Sequence, residues 1–252
     1  MSNAEQPERW PAVSYESLPW DRESNTQTSR ATRQRSRGPY RSSIPIEIQT
    51  RQAQLPAATT AAAEDAATEV ARFDAELGHE IAPFATVLLR SESAASSKIE
   101  NLTASARAIA EAELHAHAGR NATLIVATQR AMTAAIALAE HIDAEAILAM
   151  HAALLTETRP EIAGRWRDEP VWIGGSDHSP HDALFVPPRQ DFVTAAISDL
   201  LAFIDRDDVP LLAHAAIAHA QFETIHPFPD GNGRTGRALV HAPVSYTHLT
   251  LP

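Results

Sequence analysis

The chain has 252 residues, enough for one sizeable core with an extension. A formal net charge of −11 makes nucleic acid an unlikely partner, since phosphate contacts need a positive surface. With no cysteine there is no disulfide framework and no thiol chemistry.

Met1 to Trp20 lacks the apolar segment of a secretory signal, and no uncharged apolar run reaches membrane-spanning length. The default expectation is a soluble cytoplasmic protein with no membrane contact. Residues 1–55 are rich in Ser, Arg, Gln, Thr and Pro, with five arginines and no acid between Arg30 and Ile46. So little to bury predicts a flexible arm, although Gly38-Pro-Tyr-Arg and Ile44-Pro-Ile could dock on a core.

From Pro56 to Leu77 the chain is Ala- and Glu-rich, with Val70, Phe73 and Leu77 at helical spacing; Ile81, Phe84 and Leu88 continue an apolar face. N-terminal helices flanking a core are expected over 56–110. Within them, Ser96-Ser-Lys-Ile-Glu-Asn101 puts Ser96 and Glu100 on one helix face, and Asn101 can loosen a helix end. Physically this stretch reads as ordinary helix. Asn121–Glu140 and Asp143–Glu157 predict two more helices, with Asn121 and Asp143 as N-caps and Leu124, Ile136, Ile147, Met150 and Leu154 in the core. His115, His117, His141 and His151 have no metal-binding spacing and read as surface or satisfied core residues.

Gly164 to Pro188 breaks the helical pattern. Arg165-Trp-Arg and Val171-Trp-Ile alternate as two short strands turned at Asp168-Glu-Pro. Pro188–Asp205 is an amphipathic helix with Phe192, Val193, Ala196, Leu200 and Phe203 inward, and Pro210 starts another that ends at Ile225.

That helix delivers His226-Pro-Phe-Pro-Asp-Gly-Asn-Gly-Arg-Thr-Gly-Arg237. Pro227 and Pro229 end the helix and push His226 and Phe228 towards extended conformations. Gly231 and Gly233 allow close approach of backbone to a ligand. A new helix follows, and successive amides at such a junction form an anion nest. Arg234 and Arg237 are three apart, near the same anion. Asp230 is a hard oxygen ligand suited to a Mg²⁺ shared with phosphate oxygens. His226 is the group able to take a proton near neutral pH. After Val240-His241 the helical pattern is expected to stop; Pro243–Pro252 resembles translated adapter sequence, so 242–252 reads as a non-native tail.

His-Pro-Phe-x-Asp-Gly-Asn-Gly-Arg-x-x-Arg is the signature of Fic-domain proteins, and 226–237 matches it without a departure. The resemblance runs from about 60 to 241. It implies an all-α fold: a Fic-type helical core over 111–241, incomplete at its C-terminal end, with a small β-hairpin flap. It also implies transfer of AMP from ATP onto a Ser, Thr or Tyr hydroxyl of a target protein. By resemblance, His226 is the base, Asp230 holds Mg²⁺, Asn232 and the Gly231 and Gly233 amides meet the α-phosphate, and Arg234 and Arg237 meet the outer phosphates. Glycine at 233 matters, because the branch that phosphorylates instead typically has lysine there. Similar proteins carry an inhibitory helix with Ser/Thr-x-x-x-Glu-Gly/Asn, which maps onto Ser96, Glu100 and Asn101. Their hairpin aligns the target by strand addition, which maps onto Val171, Trp172, Ile173 and Gly174. Removal of AMP with Glu100 positioning water, or a non-catalytic nucleotide-sensing regulator, are the rival expectations. The sequence names neither target nor base preference and leaves a homo-oligomer open.

Overall fold

The structure is a computed structural model that describes residues 13–20, 36–81, 84–114, 119–138 and 141–249. The helix Arg120–Ala137 (α4) is its axis. It is buried on most sides, and small side chains at Ala127, Ala131 and Ala135 let its neighbours approach closely. Packed against it are Ala85–Ile99 (α2), Ala106–Glu113 (α3), Ala144–Leu155 (α5) and Asn232–Leu249 (α8). Val193–Ile204 (α6) packs on Leu211–Ile225 (α7), and α7 packs on α8. Where α5 to α8 meet, Ile147, Met150, Leu200, Phe203, Phe222 and Phe228 have no exposed surface. Each such side chain contributes about 1.5–3 kcal/mol by leaving water. The all-helical expectation holds.

Caps set several of the ends. Asp143 Oδ1 accepts the Ala146 N–H at 2.7 Å, as expected. Asn121 does not cap α4: Gly119 stands at that position, and the Asn121 amide donates to the Thr103 carbonyl at 3.0 Å. Pro210 precedes α7, where a missing N–H costs nothing.

The expected flexible arm contains ordered structure. Val13–Leu18 (β1) and Tyr40–Pro45 (β2) form an antiparallel ribbon running from Val13↔Pro45 to Leu18↔Tyr40. The ribbon is pinned to the helices by polar groups. Asp199 accepts the Ile48 and Gln49 N–H groups at 2.8 and 3.1 Å, and Gln221 donates to the Ile46 carbonyl at 2.7 Å. Ile48 itself enters the main core, 1% exposed. The arm's remainder, 1–12 and 21–35, lies outside the described residues, as do His115, His117 and 250–252.

Other expectations are corrected. The apolar face of the helical pair is exposed: on Ala57–Ile81 (α1) Val70, Phe73 and Leu77, and beside or on α2 Phe84 and Leu88. Here α1 meets the body of the fold through α7 rather than through that face. Ile136 and Phe192 are also exposed; Phe192 lies in a short 3₁₀ turn before α6 and takes the Arg189 guanidinium over its ring at 4.8 Å. Helix α8 continues to Leu249, past the expected stop near 241, although Pro243 removes one N–H from the ladder. Among the described residues no helix is long and apolar enough to cross a membrane.

The predicted strand pair is also redrawn. Arg165–Arg167 does not pair with Val171–Ile173. Ile173 pairs with Phe185 instead, donating to its carbonyl at 2.8 Å, and Ser43 of β2 donates to Val186 at 2.9 Å. The flap is therefore the 171–186 excursion, backed by the N-terminal ribbon. Trp20 stands edge-on to both Tyr40 and Trp172, which ties the two together.

Candidate active site

The motif loop joins the end of α7 to the start of α8. Its first residue departs from expectation. His226 is left-handed at φ 50°, ψ 61°, not extended, and closes α7 as its C-cap. That conformation is uncommon for a non-glycine residue and needs support from its surroundings. Arg167 gives it. Its backbone N–H donates to the Pro227 carbonyl at 2.9 Å. Its guanidinium donates to the carbonyls of His226 at 2.8 Å, Glu169 at 3.2 Å, Ile225 at 3.3 Å, and Pro188. The side chain is buried, and burial lowers its pKa to about 10. It meets the carbonyls that a helix C-terminus leaves unpaired.

The imidazole of His226 is largely buried, and burial lowers its pKa to about 4, so the ring is neutral at pH 7. Its Nδ1 stands 3.9 Å from Glu223 Oε2. Burial in turn raises the Glu223 carboxyl above its ordinary value.

Phe228 anchors the loop, stacked between His151 at 3.7 Å and Trp166 at 4.9 Å. Asn232 closes it: Oδ1 accepts the Phe228 N–H and Nδ2 donates to the Phe228 carbonyl, both at 2.8 Å. Its amide shapes the loop in this structure. The first bond of α8 is Thr235 N–H to the Gly231 carbonyl, so the amides of Asn232, Gly233 and Arg234 have no intrahelical acceptor. Gly231 has φ 80°, open to glycine at little cost. A Cβ on Gly233 would stand 2.9 Å from both Glu100 Oε1 and Arg237 Nη1.

The resemblance pairs two distant stretches, 96–101 and 226–237, and the structure brings them together. Glu100, at the C-cap of α2, places Oε1 2.8 Å from Arg237 Nη2 and Oε2 2.7 Å from Arg234 Nε. Ser96 completes the contact, accepting from Arg237 Nε at 2.7 Å through its hydroxyl and from Nη2 at 3.1 Å through its carbonyl. Asn101 takes φ 61° just after the helix, a conformation asparagine tolerates. The Arg234 side chain is 4% exposed, and its Nη1 is a buried donor without a hydrogen-bond partner among the described residues. Asp230 is half-exposed; its Oδ1 accepts the Gly231 N–H at 2.6 Å, and Arg159 and Arg234 approach at 3.6 Å. A cavity of about 440 Å³ opens beside these groups, lined by Glu100, Arg120, Leu124, Arg159, Asp230 and Arg234 among others. Val171 to Gly174 lie on the flap; Trp172 Nε1 donates to the Ser176 carbonyl at 2.8 Å, and Ile173 is partly exposed.

A neutral imidazole, amides without an intrahelical acceptor and a buried cation fit an anionic ligand. A single exposed hard carboxylate, Asp230, fits a Mg²⁺ whose other ligands are phosphate oxygens and water. Among the described residues no cluster of three or more His, Cys, Asp and Glu side chains could hold a metal alone.

Residues 141–243 match the family model described as Fic/DOC family. The chain carries a Fic domain. It resembles the protein adenylyltransferase fic-1 of Caenorhabditis elegans, 31% identical over 105 residues, which is 40% of this chain and 19% of that protein. A protein adenylyltransferase Fic of Nematostella vectensis is 35% identical over 103 residues, 41% of this chain and 23% of that one. The chain thus spans about a fifth of the length of these curated relatives. The crystal structure of a Fic family protein from Desulfovibrio desulfuricans superposes with a TM-score of 0.63 at 23% identity, over 77% of this chain and 59% of that one. That likeness extends the fold well N-terminal of the Fic domain.

Two residues that hold the Fic loop were not singled out from sequence: Arg167 and His151. Both act on main-chain groups, which leave no spacing pattern.

Proposed function

We propose that the protein is an adenylyltransferase that moves AMP from ATP onto a Ser, Thr or Tyr hydroxyl of a target protein, held in check by Glu100. The observation that carries this reading is the Glu100 carboxylate lying across Arg234 and Arg237, close beside Gly233 in the first turn of α8, whose opening amides have no intrahelical acceptor. Two guanidiniums and a nest of N–H groups suit phosphates, and a carboxylate there competes for the same donors. The adenylyltransferase names of the relatives support the choice of reaction.

In this mechanism neutral His226 accepts the proton of the target hydroxyl through Nε2. The hydroxyl oxygen forms a bond to the α-phosphorus as the bond to the β-phosphate oxygen breaks, and pyrophosphate leaves carrying that electron pair. The amides of the α8 N-terminus stabilise the charge that develops on the α-phosphate. Arg234 and Arg237 take the outer phosphates once Glu100 yields. Asp230 would hold a Mg²⁺, which supplies charge neutralisation between the phosphates when bound. Val171 to Gly174 would align the target main chain along the flap edge.

Transfer of labelled AMP to proteins of the source cell, measured beside ATP binding by calorimetry, tests the reading. His226→Ala should lose transfer by about 10²–10⁴-fold while binding ATP as the parent does. Transfer that survives the substitution would remove His226 from the mechanism. Release of AMP from a modified target, without forward transfer, would favour the hydrolytic alternative.

A further inference from the structure

His151 lies on α5, 79 positions from Asp230, with no exposed surface. Its ring is parallel to Phe228 within 5°. The Gly164 N–H donates to Nδ1 at 3.0 Å, so that nitrogen is an acceptor and the neutral ring carries its proton on Nε2. Nε2 is 3.0 Å from the Asp230 carbonyl oxygen, which can only accept. Both ends therefore require the same tautomer.

The consequence lies in the next peptide. The Asp230–Gly231 bond is trans, so its C=O and N–H point in opposite directions. Holding the carbonyl down onto His151 turns the Gly231 N–H up, where the Asp230 carboxylate receives it at 2.6 Å. The backbone rests closely on α5: a Cβ on Gly231 would stand 2.9 Å from Leu154 Cδ2 and 3.5 Å from His151 Cδ2. One ring thus fixes the peptide plane at the turn into α8.

We propose that His151 is a positioning residue for the phosphate-binding loop, setting through one N–H the direction in which the Gly231 amide and the Asp230 carboxylate face the nucleotide. The proposal rests on the nucleotide-binding reading above, and its test separates the two. Long-range ¹H–¹⁵N spectra of the unsubstituted protein read the His151 tautomer without nucleotide. A ring protonated at Nε2 is the expected result, and one protonated at Nδ1 would overturn the proposal.

Two variants follow. His151→Phe keeps the stacking on Phe228 but has no proton to give, whereas the amide of His151→Gln can donate to the Asp230 carbonyl. In His151→Phe the Gly231 amide resonance should move and ATP should bind about tenfold more weakly. His151→Gln should recover the resonance and bring affinity to within about threefold of the parent. An unmoved Gly231 resonance with unchanged ATP affinity in His151→Phe would overturn the proposal, as would a failure of His151→Gln to recover either. If the parent does not bind ATP, the nucleotide reading fails, while the tautomer and the Gly231 resonance still decide the positioning role. If His151→Phe does not fold, the tautomer and the Gly231 resonance of His151→Gln decide it.

Discussion

Replacing Glu100 by glycine removes the carboxylate that spans Arg234 and Arg237 at 2.7 and 2.8 Å. Hydrogen bonds to charged groups are worth about 1.5–3 kcal/mol each. Glu100 is 29% exposed and the Arg234 contact lacks hydrogen-bond alignment, so both contacts together count for about 3 kcal/mol. A triphosphate that must displace them loses roughly 10²-fold in productive binding, so Glu100→Gly should raise AMP transfer by about that factor. The substitution should also cost stability without nucleotide, because among the described residues it leaves the buried Arg234 with Asp230 alone, at 3.6 Å. Arg237 keeps its two contacts to Ser96, which limits that loss to about 2–3 kcal/mol. The melting temperature should fall by several degrees and recover on adding ATP. Labelled-AMP transfer and calorimetric melting with and without ATP read both effects. A variant no more active than the parent, with no larger ATP-induced rise in melting temperature, would refute the inhibitory role of Ser96 to Asn101. Glu100→Gln, which keeps the size and loses the charge, should lie between the two.

Ile173→Pro removes the N–H that closes the flap on Phe185, so transfer to a protein target should fall while ATP affinity stays level; equal loss of both would mark the hairpin as purely structural. The acid limb of transfer should also report the His226 environment. Only the unprotonated ring accepts a proton, and burial lowers its pKa to about 4, so rate should hold to below about pH 5.5; a decline centred near pH 6.5 would contradict the buried base. Arg167→Leu strips donors from the carbonyls of Ile225, His226, Glu169 and Pro188, at about 1–3 kcal/mol for each of them left unpaired away from water, those of Ile225 and Pro188 first. Melting should drop by on the order of 10 °C by calorimetry, and Arg167→Lys should not restore it, because a single ammonium cannot fan out to four acceptors. An unchanged melting temperature would show that the His226 loop holds itself.

What could be read without coordinates was chemistry written locally. The prolines and glycines of 227–233 dictate a loop opening into a helix, and Arg234 and Arg237 share a face at helical spacing. Ser96 and Glu100 share a face for the same reason, since α-helical periodicity acts over four residues. The apolar periods of α5, α6 and α7 located the core, because burial favours repeating side chains on one face. Tertiary structure decided everything that depends on main-chain partners far away. The ribbon needs Tyr40–Pro45 to find Val13–Leu18, and Asp199 and Gln221 to receive the segment after it. Proline at 227 favours an extended His226, yet Arg167 gathers the carbonyls of a left-handed turn and outweighs that local bias. His151 looks like any core histidine until the Asp230 carbonyl is placed above it. Whether Glu100 reaches both arginines likewise rests on how α2 and α8 pack around α4, a long-range geometry that no spacing within either stretch contains.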